Sequence, residues 1–308
     1  MPAVEGPPAL PEDIAATLDL VLRDHGGVGR VSAVALRRLV SDHCAKFVVL
    51  DRRDRPVAFV ALSPPAHPQA VANAAERAAR ARARLGDALG AAVLTPMHVG
   101  ESNRASYSIT AFCEPFSPNR WIARWQRWRL APAVIEWLSA VVAQTAAVAD
   151  ADQIDRLFDG PLCSLAGHAS VDPEIRAVAA RARGDLGAGT WTPRTVLAHN
   201  DFWVGNLLQP SAARAGHAPF VVIDWGGSLN EGHAVYDLVR MAMSLNLAPE
   251  RVAPMLAAHC RALGCEVGAA PHYLLSALGH LCENLGEWPV KQFAHTASVC
   301  HRYLARAC

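Results

Sequence analysis

Lysine is almost missing from this chain: of 29 basic side chains only Lys46 and Lys291 are lysines, and the rest are arginines. The skew, together with the many alanines, fits a GC-rich coding bias, and it leaves any chemistry that needs a lysine with only two candidates. A surplus of charge is missing too. The formal net charge is +1, which excludes the basic excess of a nucleic-acid binder and the acidic bias of a protein built for polycations. No apolar run approaches the roughly 18 residues of a membrane span. Residues 1–11 lack the basic start and apolar core of a signal peptide, so a cytoplasmic location is expected. The 8 cysteines are scattered, with no Cys-x-x-Cys pair and no histidine at metal spacing. They read as buried or free thiols, not as a disulfide frame or a zinc site. Internal repeats and low-complexity segments are absent as well.

What remains is ordinary globular material, 308 residues with 52% hydrophobic and 19% charged side chains, enough for one large domain or two lobes. After a Pro-rich start, Pro11-Glu12-Asp13 opens an amphipathic helix with Ile14, Leu18, Leu20 and Val21 apolar, and Gly26-Gly27 ends it. Strand texture follows at 28–40, 46–50 and 57–62, with Asp51–Arg55 as a hairpin turn. Residues 70–89 read as a helix, and 93–100 and 106–112 as two more strands. Beyond Glu114-Pro115 the pattern turns helical, at 119–130, 132–149, 173–186, 233–246, 249–263, 271–285 and 289–306. Residues 160–171 read as a loop.

The helical half is interrupted by one stretch, His199-Asn200-Asp201-Phe202-Trp203-Val204-Gly205-Asn206, followed by Phe220-Val221-Val222-Ile223-Asp224-Trp225. Two short apolar runs are each flanked by a hard oxygen donor. Asp201, Asn206 and Asp224 together offer two carboxylates and an amide carbonyl, the donor set that suits Mg²⁺. A hairpin return through 209–219 is expected to bring Asn206 and Asp224 near each other, leaving Asp201 to face an acceptor hydroxyl.

These residues resemble the catalytic pattern of the aminoglycoside phosphotransferase and choline-kinase-like group, His-Gly-Asp-x-x-x-x-Asn, then an apolar strand ending in Ile-Asp-Trp, then Asp-Leu opening a helix. The matching positions are His199-Asn200-Asp201 with Asn206, Ile223-Asp224-Trp225, and Asp237-Leu238. The resemblance spans roughly residues 28–300. It implies an α+β, protein-kinase-like two-lobed fold: an N-terminal extension and helix (1–27), a small β-rich nucleotide lobe with one helix (28–115), and a mainly helical lobe (116–308). It further implies that Asp201 accepts or orients the acceptor proton, that Asn206 and Asp224 hold Mg²⁺, that His199 braces the catalytic loop, and that Asp237 accepts N–H bonds from that loop. The cofactors implied are ATP, or another nucleoside triphosphate, and Mg²⁺.

The nucleotide side departs from the pattern. The third strand of kinase-like folds carries a phosphate-gripping lysine paired with a glutamate on the inserted helix. Here Val57-Ala58-Phe59-Val60-Ala61-Leu62 has none, and the slot falls on Val60 or Ala61. Glu76 is the candidate helix glutamate. Lys46 on the preceding strand faces Ala61 if the turn has two residues and Val60 if it has three, so it either replaces the missing lysine or is a solvated strand end. The loop 41–45 has no glycine, and Ser41 is its candidate phosphate contact; Gly26-Gly27-x-Gly29 precedes the first strand and reads as a helix stop.

Trp121, Trp125 and Trp128 fall at i, i+4 and i+7 beside Arg120, Arg124 and Arg127, a spacing that favours core packing, with an acceptor wall as the alternative. Further acceptor-side candidates are Glu231, His233, Glu283, Glu287 and Trp288. The balanced charge of the helical half argues against a polycationic aminoglycoside. Three functions are compatible with the sequence: a small-molecule kinase acting on a hydroxyl acceptor, with neither nucleic acid nor membrane as partner and the oligomeric state open; a pseudokinase; and a protein kinase, which the short span from Asp224 to Asp237 disfavours.

Overall fold

The computed structural model describes residues 10–24, 32–35, 44–210, 218–286 and 288–308. Ser41 and the glycines at 26, 27 and 29 lie outside them. The chain forms two compact units. One takes in the described residues of Met1–Phe116 and Leu207–Gly226; the other is Ser117–Asn206 with Gly227–Cys308. Leu207–Gly226 therefore groups with the N-terminal residues, although the sequence reading assigned it to the helical lobe.

The first unit starts with helix α1 (Glu12–Asp24), then strands β1 (Ser32–Ala35), β2 (Ala45–Leu50) and β3 (Pro56–Leu62), helix α2 (Ala70–Gly90), and strands β4 (His98–Ser102) and β5 (Ala105–Ala111). The five strands make an antiparallel sheet in the order β1-β2-β3-β5-β4. Ile14, Leu18 and Leu22 of α1 cover one face, against Phe47, Val49, Ala58, Val60, Tyr107 and Ile109. Leu20, expected on the apolar stripe, is exposed instead, because 14, 18 and 22 recur at helical spacing and 20 falls on the far side. The start of α2 is fixed by the sheet: the Ser63 and Ser106 hydroxyls accept from the amides of Val71 (2.9 Å) and Ala72 (3.1 Å). The expected strand 93–100 shrinks to its last residues. Val93 makes only an isolated parallel bridge to Val222.

The hairpin between β2 and β3 combines both expected registers. Asp51 N–H donates to Arg55 O and Leu50 pairs with Pro56, as in a three-residue turn; a bulge then shifts the ladder, so that Lys46 pairs with Ala61 and Phe47 with Val60. The Asp51 carboxylate accepts from the Arg53 and Arg55 amides and from the Arg55 guanidinium, which holds its pKa down at about 2. Asp54 supplies the positive φ (56°) that the turn needs.

The second unit opens with α3 (Arg120–Thr145), capped by Asn119 Oδ1 accepting from the Trp121 amide at 3.0 Å. The two helices expected at 119–130 and 132–149 are this single helix, which runs through Pro132. It loses one hydrogen bond there, and packing against α8 and β7 stabilises it. Trp121, Trp125 and Trp128 are 63, 54 and 69% exposed, which overturns the core reading. At about 3.6 residues per turn they lie roughly opposite Ala123, and Ala123 is the buried side.

Strand β6 (Ala147–Val148), α4 (Ala151–Ile154), a π-turn at Asp155–Asp159, α5 (Gly160–Gly167), α6 (Pro173–Gly187) and β7 (Arg194–Ala198) follow. Residues 160–171 are thus mostly helix and not a loop: Pro161 sits at the first turn, where a missing N–H is tolerated. Strands β8 (Leu207–Leu208) and β9 (Val221–Val222) pair as a hairpin in the first unit. The chain then returns through β10 (Leu229–Gly232), α7 (Tyr236–Ser244), α8 (Pro249–Ala262), α9 (Ala270–Glu283) and α10 (Val290–Ala305). β10, β7 and β6 form a small antiparallel sheet that the sequence did not announce. No helix among the described residues is long and apolar enough to cross a membrane.

Helices α5 and α9 meet backbone to side: a Cβ on Gly279 would stand 2.0 Å from the Pro161 carbonyl oxygen. Gly279→Ala is therefore expected to destabilise the protein by about 1–3 kcal/mol, although alanine gains roughly 1 kcal/mol of helix propensity. Urea unfolding of the variant measures the sum, and unchanged or raised stability would mean the two helices do not approach this closely.

Candidate active site

The residues singled out in the sequence fall into two sets, one in each unit. In the helical unit, β7 delivers the chain to His199, which is buried and donates its backbone N–H to Asp237 Oδ2 at 2.6 Å. Asp237 stands in the first turn of α7. Burial pushes its carboxyl up to about 7, and the amides of His199, Asn200 and Phe202, donating towards it, oppose that rise. His199 Nδ1 accepts from the Asp201 amide at 3.3 Å, so the neutral imidazole carries its proton on Nε2. Its ring packs 5.6 Å from Phe202, which is itself 5.6 Å from Trp137 of α3.

Asn200 occupies the glycine position of the family pattern and has φ 65°. Asparagine is the side chain best suited to that left-handed conformation after glycine, and its Nδ2 donates to Gly227 O at 3.0 Å. The next residue, Asp201, holds its carboxylate half in solvent, at 53% exposure. Asn206 Nδ2 donates to both Asp201 O (2.8 Å) and Asp201 Oδ2 (3.0 Å). That commits the amide nitrogen and turns Asn206 Oδ1 into the atom left to ligate a cation. The loop's far end is tied to α7 by Val204 N–H donating to Ser244 Oγ at 3.0 Å.

Three residues of consequence carried no readable signal in the sequence. Arg240, one turn after Asp237, brings Nη2 to 3.9 Å from Asp201 Oδ1, placing a cation beside that carboxylate. Trp203 leaves its indole 41% exposed two residues from Asp201. The ring lies over Gly205, where an added Cβ would be 2.3 Å away, so the glycine is what lets the indole lie there. Only the i+3 spacing from Asp237 could have flagged Arg240. The third, Arg77, belongs to the sheet unit.

In the sheet unit, Asp224 follows β9. Val222 N–H donates to Ala92 O (2.7 Å) and Val222 O accepts from Leu94 N–H (3.1 Å) and Trp225 Nε1 (3.1 Å), so the strand before Asp224 is stitched to the end of α2. Asp224 is exposed, with φ 64°. Arg77 of α2 donates to the Gly226 carbonyl, and Ala74 lies beside Gly226. Glu76 faces away and pairs with Arg80. Lys46 is exposed on the sheet face opposite α1, in a row with the short side chains Ala61 and Ser108. The half-buried Cys44 thiol, pushed up by burial, is lowered by the Lys46 charge and raised by that of Asp224.

Of the remaining acceptor-side candidates, His233 is a core histidine. Its Nε2 donates to Leu157 O, and burial pushes its pKa down to about 4. Glu283 accepts from Ser164 at 2.6 Å, Trp288 packs on Phe293, Glu231 is exposed, and Glu287 lies outside the described residues. Among the described residues no group of three or more His, Cys, Asp or Glu could by itself cage a metal.

Solved structures share this architecture. The chain aligns with the GDP complex of aminoglycoside 2'-phosphotransferase-IIIa over 97% of its own length and 100% of that chain, at 12% identity and TM-score 0.51. It aligns with choline kinase from Cryptosporidium parvum Iowa II over 96% and 94%, at 12% identity and TM-score 0.51. Choline kinase LicA from Streptococcus pneumoniae matches over 95% and 99%, at 11% identity and TM-score 0.51. No family model and no curated protein matches the sequence. The protein has the protein-kinase-like fold, α+β with a small antiparallel sheet and a helical majority.

Asp237 also makes stability depend on pH. Its folded pKa lies above the ordinary carboxylate value, so its contribution is full below about pH 4 and is lost as pH rises through about 7. Urea unfolding at about pH 5 and about pH 8 is expected to show the wild type losing stability over that interval and Asp237→Asn losing less. The same slope in both proteins would refute the raised pKa.

Proposed function

We propose that this protein is an ATP-dependent phosphotransferase that moves the γ-phosphoryl group to a hydroxyl of a small molecule, such as a sugar, an amino alcohol or a natural product. The observation that carries the reading is the half-exposed Asp201 carboxylate, fixed by Asn206 on one oxygen and faced by Arg240 on the other. A carboxylate so held can orient an acceptor hydroxyl and take its proton as the phosphoryl group moves. Arg240 sets a positive charge beside that carboxylate. His199 and Asp237 hold the loop backbone in place. Trp203 offers an indole face on which a ring-shaped or methylene-rich acceptor can rest.

Asn206 Oδ1 in the helical unit and the Asp224 carboxylate in the sheet unit are each hard oxygen donors of the kind that suits Mg²⁺. When bound, the cation neutralises charge that develops on the phosphate oxygens. Lys46 is the proposed substitute for the missing third-strand lysine, gripping nucleotide phosphates near Asp224. Neighbours of this fold solved with GDP and AMP support a nucleotide in that role.

Asp201→Asn is expected to lower turnover by about 100-fold or more while Mg·ATP still raises the melting temperature; full turnover would remove Asp201 from the role of base. Lys46→Ala is expected to lower kcat/KM for ATP by about tenfold or more, the scale of one charge-assisted phosphate contact. Unchanged kinetics would make Lys46 a solvated strand end. Transfer from labelled ATP over a panel of sugars, amino alcohols and antibiotics measures the activity itself. A melting shift with Mg·ATP and no transfer to any of them would favour the pseudokinase reading.

A further inference from the structure

The first half of α3 carries a surface that the phosphotransfer reading does not use. Trp121, Trp125 and Trp128 form the crest of the helix, on the side away from its buried Ala123. At helical spacing Arg120 and Arg124 line one flank of the crest, and Arg129 with the exposed Ile122 lines the other. No aspartate or glutamate occurs between Glu114 and Glu136. The arginines lie against the indoles: the Arg120 guanidinium is 4.8 Å from the Trp121 ring centroid and that of Arg129 is 5.5 Å from Trp125.

We propose that this crest docks the protein peripherally on an anionic phospholipid surface. The charge is complementary to acidic headgroups, with cations on both flanks and no carboxylate in the stretch between Glu114 and Glu136. The apolar component consists of indoles, the side chains that settle at the headgroup–acyl boundary with their N–H groups hydrated. The flanking arginines are long enough to reach headgroup phosphates while the indoles enter.

Shape decides against the other occupants. A small-molecule acceptor needs a concave site, and single-stranded nucleic acid needs a groove that tracks its backbone; this surface is the convex side of a helix. A second copy of the chain would bring like-charged arginine flanks together. The expectation of no membrane partner rested on the absence of a spanning run, and peripheral docking requires none.

The test uses the full chain and sedimentation with vesicles of phosphatidylcholine alone or phosphatidylcholine mixed with phosphatidylglycerol. Binding is expected only to the mixed vesicles, with a blue shift of indole fluorescence and weakening by added salt. Trp125→Ser combined with Trp128→Ser is expected to abolish the shift and reduce binding by roughly tenfold or more. Arg124→Gln combined with Arg129→Gln is expected to weaken binding by a similar factor without moving the melting temperature. Absence of binding to the mixed vesicles overturns the proposal, as does binding that survives both double substitutions. Binding to a single-stranded oligonucleotide in preference to the vesicles, or a dimer that the tryptophan substitutions dissolve, would assign the crest to another partner and equally overturn it.

Discussion

A carboxylate buried at the start of α7 sets the shape of the catalytic loop. Asp237 has lost nearly all contact with water, and what it receives in return is the backbone N–H of His199, with those of Asn200 and Phe202 turned towards it. Burial favours the protonated form and the amides favour the anion, so the group stays poised between them. The loop cannot relax without stripping donors from a buried oxygen, and that penalty is what makes its geometry stiff. Val235, a β-branched residue at φ 73°, shows that the backbone entering α7 accepts an unfavourable conformation just before Asp237. The same helix holds the loop's other end through Ser244 and Val204 and reaches the catalytic carboxylate through Arg240. One helix thus fixes the entrance, the centre and the exit of the loop.

The sheet unit solves a parallel problem with different parts. Asp224 must be presented on a short strand with little pairing of its own, and β9 obtains its support from Ala92 and Leu94 at the end of α2 and from the Trp225 indole. In the family pattern a lysine and a helix glutamate tie helix to sheet. Here the helix residue that reaches the segment after β9 is Arg77, which donates to the Gly226 carbonyl, and Glu76 pairs with Arg80. Lys46 stands over a row of short side chains, Ala61 and Ser108.

Much of this was legible because spacing carries it. The intervals from His199 to Asp201, Asn206 and Asp237 match the pattern read from the sequence, and the structure joins these residues by hydrogen bonds within one unit. The register of Lys46 was narrowed to two partners, and the bulge after the turn, a backbone event without a side-chain signature, chose Ala61. Other readings failed where a local rule met a tertiary exception. Gly160-Pro161 looked like a loop, but proline at a first helical turn and glycine at a helix crossing are both compatible with α5. Pro132 looked like a boundary, yet one missing N–H does not end a helix packed on both β7 and α8. The tryptophan spacing gave an apolar stripe, and periodicity alone cannot tell which side of a helix faces the core. Arg77, Arg240 and Trp203 act through neighbours distant in sequence or through an exposed face, which no single-residue pattern records.

The span between Asp224 and Asp237 bears on the kind of acceptor. A protein kinase holds a long, regulated segment there, free to order and disorder. In this chain the residues from Gly227 onward are already committed. Gly227 O accepts from Asn200, Leu229–Gly232 pairs with β7, and Gly232 lies so close to that strand that a Cβ would stand 2.6 Å from the Ala198 Cβ. Val235 then turns the backbone into α7. The segment is thus held by the loop after β7, by β7 itself and, through His233, by the Leu157 carbonyl, unlike the long free segment of a protein kinase. On the proposed reading, a small acceptor that approaches Asp201 past the exposed Trp203 needs no such segment.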